Sequence, residues 1–139
     1  MNVNILYLDD EKNNLLGFKA NFRFDFNIYL ASDIGEAIIF MKNNDIQVVV
    51  CDLKMPVNGI DALQQLTLIK PNVVKILLTA YSNLTDSIDA INKAHIYYYI
   101  TKPYVAEDLK EKILESYKFY MFTTLSKDFI EDVNKKLGY

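Results

Sequence analysis

The sequence is poor in several residue types, and each shortage narrows what the chain can be. One cysteine, Cys51, leaves no partner for an internal disulfide and no thiolate set for a metal, and it suits a reducing compartment. Four glycines and three prolines exclude collagen-like and linker-rich organisation. No apolar run approaches the roughly 20 residues that cross a bilayer, and the opening residues lack the basic and long apolar regions of a secretion signal. A cytoplasmic location without membrane contact is expected. Arg23 is the only arginine, and the lysines are scattered among acids in a chain of net charge −3. No basic stripe tracks a phosphate backbone, so direct nucleic-acid binding is not expected. His95 is the only histidine and reads as a surface or helix-end residue.

What remains is ordinary globular material. The 139 residues are 51% hydrophobic and 24% charged, enough for one core with an appended helix. Short apolar or β-branched runs alternate with longer helix-period segments. Strands are expected at 4–9, 27–31, 48–51, 73–78 and 96–100. Helices are expected at 12–24, from the Asp33 cap through Met41, at 60–69, at 83–94 and from Glu107 onward. Asp33 and Glu36 form a capping-box pair at the second helix. The pattern is a strand–helix unit repeated five times, which implies an α/β fold: a doubly wound, five-stranded parallel sheet with helices on both faces. Ligands of such sheets bind beyond the carboxyl ends of the strands.

At those ends stand Asp9 and Asp10 after the first strand, Asp52 after the third, Thr79 after the fourth and Lys102 after the fifth. Two unit charges about 4 Å apart interact by roughly 4 kcal/mol at an effective dielectric of 20. Three clustered carboxylates therefore require raised pKa values or a cation. Oxygen ligands with open positions suit Mg²⁺, which bridges carboxylates to phosphate oxygens. A lysine adds a point charge for a phosphate oxygen, and a threonine adds a hydroxyl donor. Together they compose phosphoryl transfer to a carboxylate, giving an aspartyl phosphate.

Four segments carry a resemblance: Tyr7-Leu8-Asp9-Asp10-Glu11, Asp52-Leu53-Lys54-Met55-Pro56-Val57-Asn58-Gly59, Leu78-Thr79-Ala80-Tyr81 and Tyr99-Ile100-Thr101-Lys102-Pro103. In order and spacing the chain resembles the receiver domain of bacterial two-component response regulators over about residues 2–118. That resemblance implies a flavodoxin-like (βα)5 fold with Asp52 as phosphoacceptor. It implies Mg²⁺ held by Asp9, Asp10, Asp52 and the Lys54 backbone carbonyl. Thr79 and Tyr99 would form the switch pair, and Lys102 would contact the phosphoryl group beside a cis Lys102–Pro103 peptide. Lys54 and Tyr81 would tune dephosphorylation, their bulk impeding the attacking water. Gly59 would supply backbone freedom in the turn after the acceptor. Cys51 reads as small apolar packing.

The stretches 76–82 and 96–103 are similar to receivers joined to HD-GYP phosphodiesterases, hydrogenase-type regulators or hybrid kinases. The implied partner is a histidine kinase or phosphotransfer protein, with an output domain or partner the sequence does not identify. The domain is expected to catalyse only its own phosphorylation and dephosphorylation, not to act as a turnover enzyme. Two other classes compete with this reading. One is a phosphorylation-independent adaptor using the fold as a binding module. The other is a phosphatase or flavin protein, which lacks support because Lys54 stands where a haloacid-dehalogenase-type phosphatase needs an acid. Residues 1–118 are expected to form the receiver and 119–139 a helical extension. In the extension Met121, Phe122, Leu125, Phe129, Val133 and Leu137 recur at helical spacing with charges between them. That stripe would either fold back on the domain, pair with a second copy or lead toward an output domain. A homodimer through it, or through the face of the fourth helix, fifth strand and fifth helix, is expected.

Overall fold

The computed structural model describes residues 2–80, 92 and 94–138. Five parallel strands form one sheet: β1 (Asn4–Leu8), β2 (Asn27–Ala31), β3 (Val48–Asp52), β4 (Val74–Thr79) and β5 (Tyr98–Thr101). Their spatial order is β2-β1-β3-β4-β5. Between and after them lie helices α1 (Lys12–Phe22), α2 (Ile34–Asn43), α3 (Gly59–Ile69) and α4 (Ala106–Lys136). The helix expected from Asn83, and Tyr81 before it, lie outside the described residues.

Period-2 alternation sorts the strand side chains onto two cores. Ile5 and Tyr7 of β1, Val48 and Val50 of β3, and Ile76 and Leu78 of β4 face Leu15, Phe18 and Phe22 of α1 and Leu109 and Ile113 of α4. Leu6, Leu8, Val49, Cys51 and Leu77 face Ala37 and Met41 of α2 and Leu63 and Leu66 of α3. All five residues of β3 are buried, which suits a central strand covered on both faces. The helix starts follow local chemistry. Asp33 accepts from the Glu36 N–H at 2.8 Å and caps α2, while Asn58 accepts from the Ile60 N–H at 2.9 Å and opens α3.

Two expectations need correction, at β5 and at Gly59. β5 begins at Tyr98 rather than residue 96: the ladder with β4 starts at the Ile76–Tyr98 pair, with the Tyr97 N–H donating to the Lys75 carbonyl just before it, and the Tyr97 ring stacks on Phe119 of α4. The fifth helix and the C-terminal extension are one unbroken helix of 31 residues, roughly 46 Å long at 1.5 Å per residue. It does not fold back: Phe122, Leu125, Phe129, Ile130 and Leu137 are all more than half exposed. Finally, Gly59 is needed for space, not for an unusual φ. A Cβ there would lie 2.3 Å from the Asp52 carbonyl oxygen and 2.8 Å from Leu53 Cα.

Domain contacts hold α4 only part of the way. Tyr98 donates to Glu115, Phe119 stacks on Tyr97 with centroids 4.6 Å apart, and Lys70 Nζ lies 4.8 Å from the Tyr120 ring centroid. The last of these contacts is the Asn72 amide donating to Thr124 Oγ1 at 3.1 Å.

Candidate functional site

β1 and β3 are neighbours in the sheet although two strands apart in the chain, so their carboxyl ends meet where the winding reverses. Asp9 follows β1 and Asp52 ends β3. Asp9, Asp10 and Asp52 each offer a carboxylate oxygen within 4.8 Å of the other two. Asp9 is fully buried, Asp52 is 8% exposed and Asp10 is open to solvent. This all-oxygen set, open on one side, fits a hard divalent cation that keeps waters of its own.

Lys102 closes the cluster. Its Nζ lies 2.9 Å from Asp52 Oδ1 and 3.6 Å from Asp9 Oδ2. Lys102 is positioned by the end of the β4–β5 ladder, where its N–H donates to the Thr79 carbonyl, and its peptide bond to Pro103 is cis. Thr79 is buried and sits one residue beyond Leu78, the β4 partner of Asp52. Tyr99, half-buried, packs on the α2–α3 core in register with Leu77.

The electrostatics follow from burial. Desolvation pushes the Asp52 carboxyl above its ordinary range; Lys102 offsets part of this, and Asp9 and Asp10 add to it. Burial pulls Lys102 down, but hydrogen bonding and attraction from Asp52 and Asp9 outweigh it and hold the ammonium above its usual range. Burial also pushes the Cys51 thiol up, away from thiolate chemistry. His95 is exposed in the left-handed region at φ 53°, its N–H donating to the Asn92 carbonyl.

The structure thus brings Asp9, Asp10, Asp52 and Lys102 together. Lys54 is exposed on the loop after β3. Sequence reasoning gave no role to Tyr7, whose hydroxyl donates to Asp9 Oδ2 at 2.7 Å. The period-2 pattern was the available signal, since it puts positions 7 and 9 on one side of β1. Beside Lys102, a cleft of about 470 Å³ is lined by Tyr7, Gly17, Phe18, Asn21, Pro103 and Tyr104.

The model of the response regulator receiver domain matches residues 5–114. The chain belongs to this family. Across 136 residues it is 27% identical to hydrogenase transcriptional regulatory protein HoxA of Bradyrhizobium diazoefficiens, covering 97% of this chain. The receiver chain spans only 28% of that relative's length. Among solved structures it is similar to one described as adenylate cyclase from Rhodopirellula baltica. That match has TM-score 0.87 and 30% identity, covering 94% of this chain and 98% of that one. It is also similar to a CheY-like receiver domain protein from Methanospirillum hungatei, with TM-score 0.80 and 27% identity, covering 88% and 99%. This protein is therefore a receiver domain of the two-component signalling type, with the flavodoxin-like fold. The family binds Mg²⁺ at an acidic pocket, and the receiver's three aspartates form such a cluster. Among the described residues no helix is long and apolar enough to cross a membrane.

Proposed function

We propose that Asp52 is the phosphoacceptor of a cytoplasmic receiver that takes its phosphoryl group from the phosphohistidine of a kinase or phosphotransfer protein. The observation that carries this reading is Lys102 Nζ at 2.9 Å from Asp52 Oδ1, inside a three-carboxylate cluster at the β1/β3 switch point. An Asp52 carboxylate oxygen attacks phosphorus, the O–P bond forms as the P–N bond breaks, and the electron pair returns to the imidazole nitrogen. Asp9, Asp10, Asp52 and the Lys54 carbonyl would hold Mg²⁺, which when bound shields charge on the transferring phosphoryl oxygens. Lys102 takes one of those oxygens once it leaves Asp52, and the Thr79 hydroxyl donates to another. Tyr99 follows Thr79 inward and alters the face made by β5 and α4.

Output is then a change in protein–protein contact. The receiver is both catalyst and substrate of its own phosphorylation and turns over nothing else. Its output partners include a second copy of the chain, through the β5–α4 face or the far end of α4, and an output domain or protein. Lys54 and Tyr81 slow the return of water to the acyl phosphate. Residues 1–118 form the receiver proper and 119–139 a helical extension.

The test is labelling by acetyl phosphate with Mg²⁺, read by intact-mass spectrometry. The parent chain is expected to gain one acid-labile phosphoryl group, Asp52→Asn none, and Lys102→Ala a reduced amount with no conformational response. Full labelling of Asp52→Asn overturns the assignment.

A further inference from the structure

Every side chain of β1 between Ile5 and Leu8 is buried, and Tyr7 is the one among them that carries a polar atom. A buried hydroxyl must find a partner or cost the fold its desolvation. Tyr7, 1% exposed, spends that hydroxyl on Asp9 Oδ2 at 2.7 Å. The ring is clamped: it stacks on Phe18 with centroids 4.1 Å apart and planes 18° apart, and Phe18 leans on Phe22 at 4.8 Å. The donor therefore points from a rigid base.

The other oxygen of Asp9 is also committed, with Oδ1 accepting the Glu11 N–H at 3.0 Å. Two donors on two oxygens fix the plane of a fully buried carboxylate. Lys102 Nζ stands 3.6 Å from the same Oδ2, yet closes to 2.9 Å on Asp52. The lysine has two carboxylates to choose between, and the hydroxyl already occupies the nearer oxygen of one.

We propose that Tyr7 is a positioning residue for Mg²⁺-dependent phosphorylation: its hydroxyl fixes the Asp9 carboxylate in the acidic cluster and, by sharing Oδ2, holds Lys102 to the longer contact there, so that the lysine's short contact falls on Asp52. This rests on the phosphoacceptor reading above. Without the hydroxyl, Asp9 Oδ2 is a buried acceptor short of a donor, and Lys102 is the cation within reach. Bound Mg²⁺ would then have to displace Lys102 from Asp9 and reorient the carboxylate before the site is complete. At saturating Mg²⁺ the cation compensates Asp9, and the lysine returns.

The experiment uses the full chain and Tyr7→Phe, which retains the ring stacked on Phe18. Labelling rates with acetyl phosphate are measured across a Mg²⁺ titration. The Mg²⁺ concentration for half-maximal rate is expected to rise about tenfold, the lower end of the cost of losing a hydrogen bond to a metal-holding side chain. The saturated rate should stay within about twofold, the signature of altered binding rather than altered chemistry. A residue that only packs leaves that midpoint unmoved, so a midpoint within about twofold of the parent's overturns the proposal. A second measurement needs no variant. In parent protein labelled with ¹³Cζ tyrosine, the Tyr7 resonance should move during the titration with the midpoint of the Asp10 amide, and an unmoved Tyr7 resonance overturns the proposal equally. If the parent shows no Mg²⁺-dependent labelling, both this inference and the phosphoacceptor reading fall; if the parent labels normally and the midpoint is unchanged in Tyr7→Phe, only the inference falls.

Discussion

At 8% exposure and beside two other carboxylates, Asp52 is an acid whose charge the fold disfavours, chiefly through burial and only partly relieved by Lys102. A carboxyl raised above its unfolded value of 3.8 stabilises the fold fully below that value. That contribution is lost as pH rises through the folded value, so above it the ionised group is a net cost. In metal-free buffer Asp52→Asn should therefore melt above the parent near neutral pH, and the gap should close toward about pH 4 as the parent becomes protonated. Millimolar Mg²⁺ should raise the parent's Tm and not the variant's, since a cation bound only to the native state stabilises it by mass action. Thermal melts across pH, with and without Mg²⁺, check both; an Asn variant less stable than the parent at neutral pH would show that Lys102 outweighs burial. Gly59 invites a second substitution. The methyl of Gly59→Ala would meet the backbone of Asp52 and Leu53, which cannot rotate aside as a side chain can. The loop carrying the acceptor must shift, with an expected loss of about 1–3 kcal/mol and slower labelling of Asp52. Equilibrium unfolding and the acetyl phosphate assay measure the two effects.

Element by element, the parts readable from the chain were those governed by local chemistry. β2 falls at 27–31 as expected because Asn27 follows the Phe22–Phe26 turn and Ala31 precedes the Asp33 cap. β3 reads as buried on both faces from its run of valines, and it is. Tertiary contacts decided the rest. Nothing local to Ile96 and Tyr97 sets where β5 begins: the Tyr97 N–H already donates to the Lys75 carbonyl of β4, and the ladder proper starts one residue later. The receiver boundary at Lys118 rests on family likeness; no glycine or proline interrupts Ala106–Lys136, so one helix runs through it. Lys75 shows the same limit inside a strand. It is 3% exposed at the second position of β4, with its Nζ donating to Thr67 Oγ1 of α3 at 2.9 Å, and burial lowers its pKa. For the site, the residue types and strand ends were readable as a list of aspartates, a threonine and a lysine. The preference of Lys102 for Asp52 over Asp9, and the hydroxyl of Tyr7 behind it, depend on distances that only the assembled sheet sets.

For the molecule as a whole, α4 is where the receiver stops being self-contained. Up to Thr124 the helix is tied to the rest of the domain by the Tyr98–Glu115, Tyr97–Phe119, Lys70–Tyr120 and Asn72–Thr124 contacts. The 12 residues from Leu125 to Lys136 extend roughly 18 Å further. Leu125, Phe129 and Ile130, at 60%, 69% and 57% exposure, lie on one side of this stretch together with Phe122. The charges of the stretch Leu125–Lys136 are three lysines and three acids, so two copies could approach without net repulsion. Cutting at Lys118 would be a poor test, because it removes Tyr120, which is 7% exposed and part of the domain's own packing. Ending the chain at Thr124 removes the stripe and keeps those contacts. Sedimentation velocity is expected to show concentration-dependent dimerisation of the full chain and a monomer for the chain ending at Thr124. Beryllofluoride with Mg²⁺, standing in for the phosphoryl group on Asp52, should strengthen the full-chain dimer. It can do so only by as much as the paired state binds it more tightly than the single one. If both chains stay monomeric in both states, the stripe does not pair with its own copy, and the output face of this receiver meets a different protein.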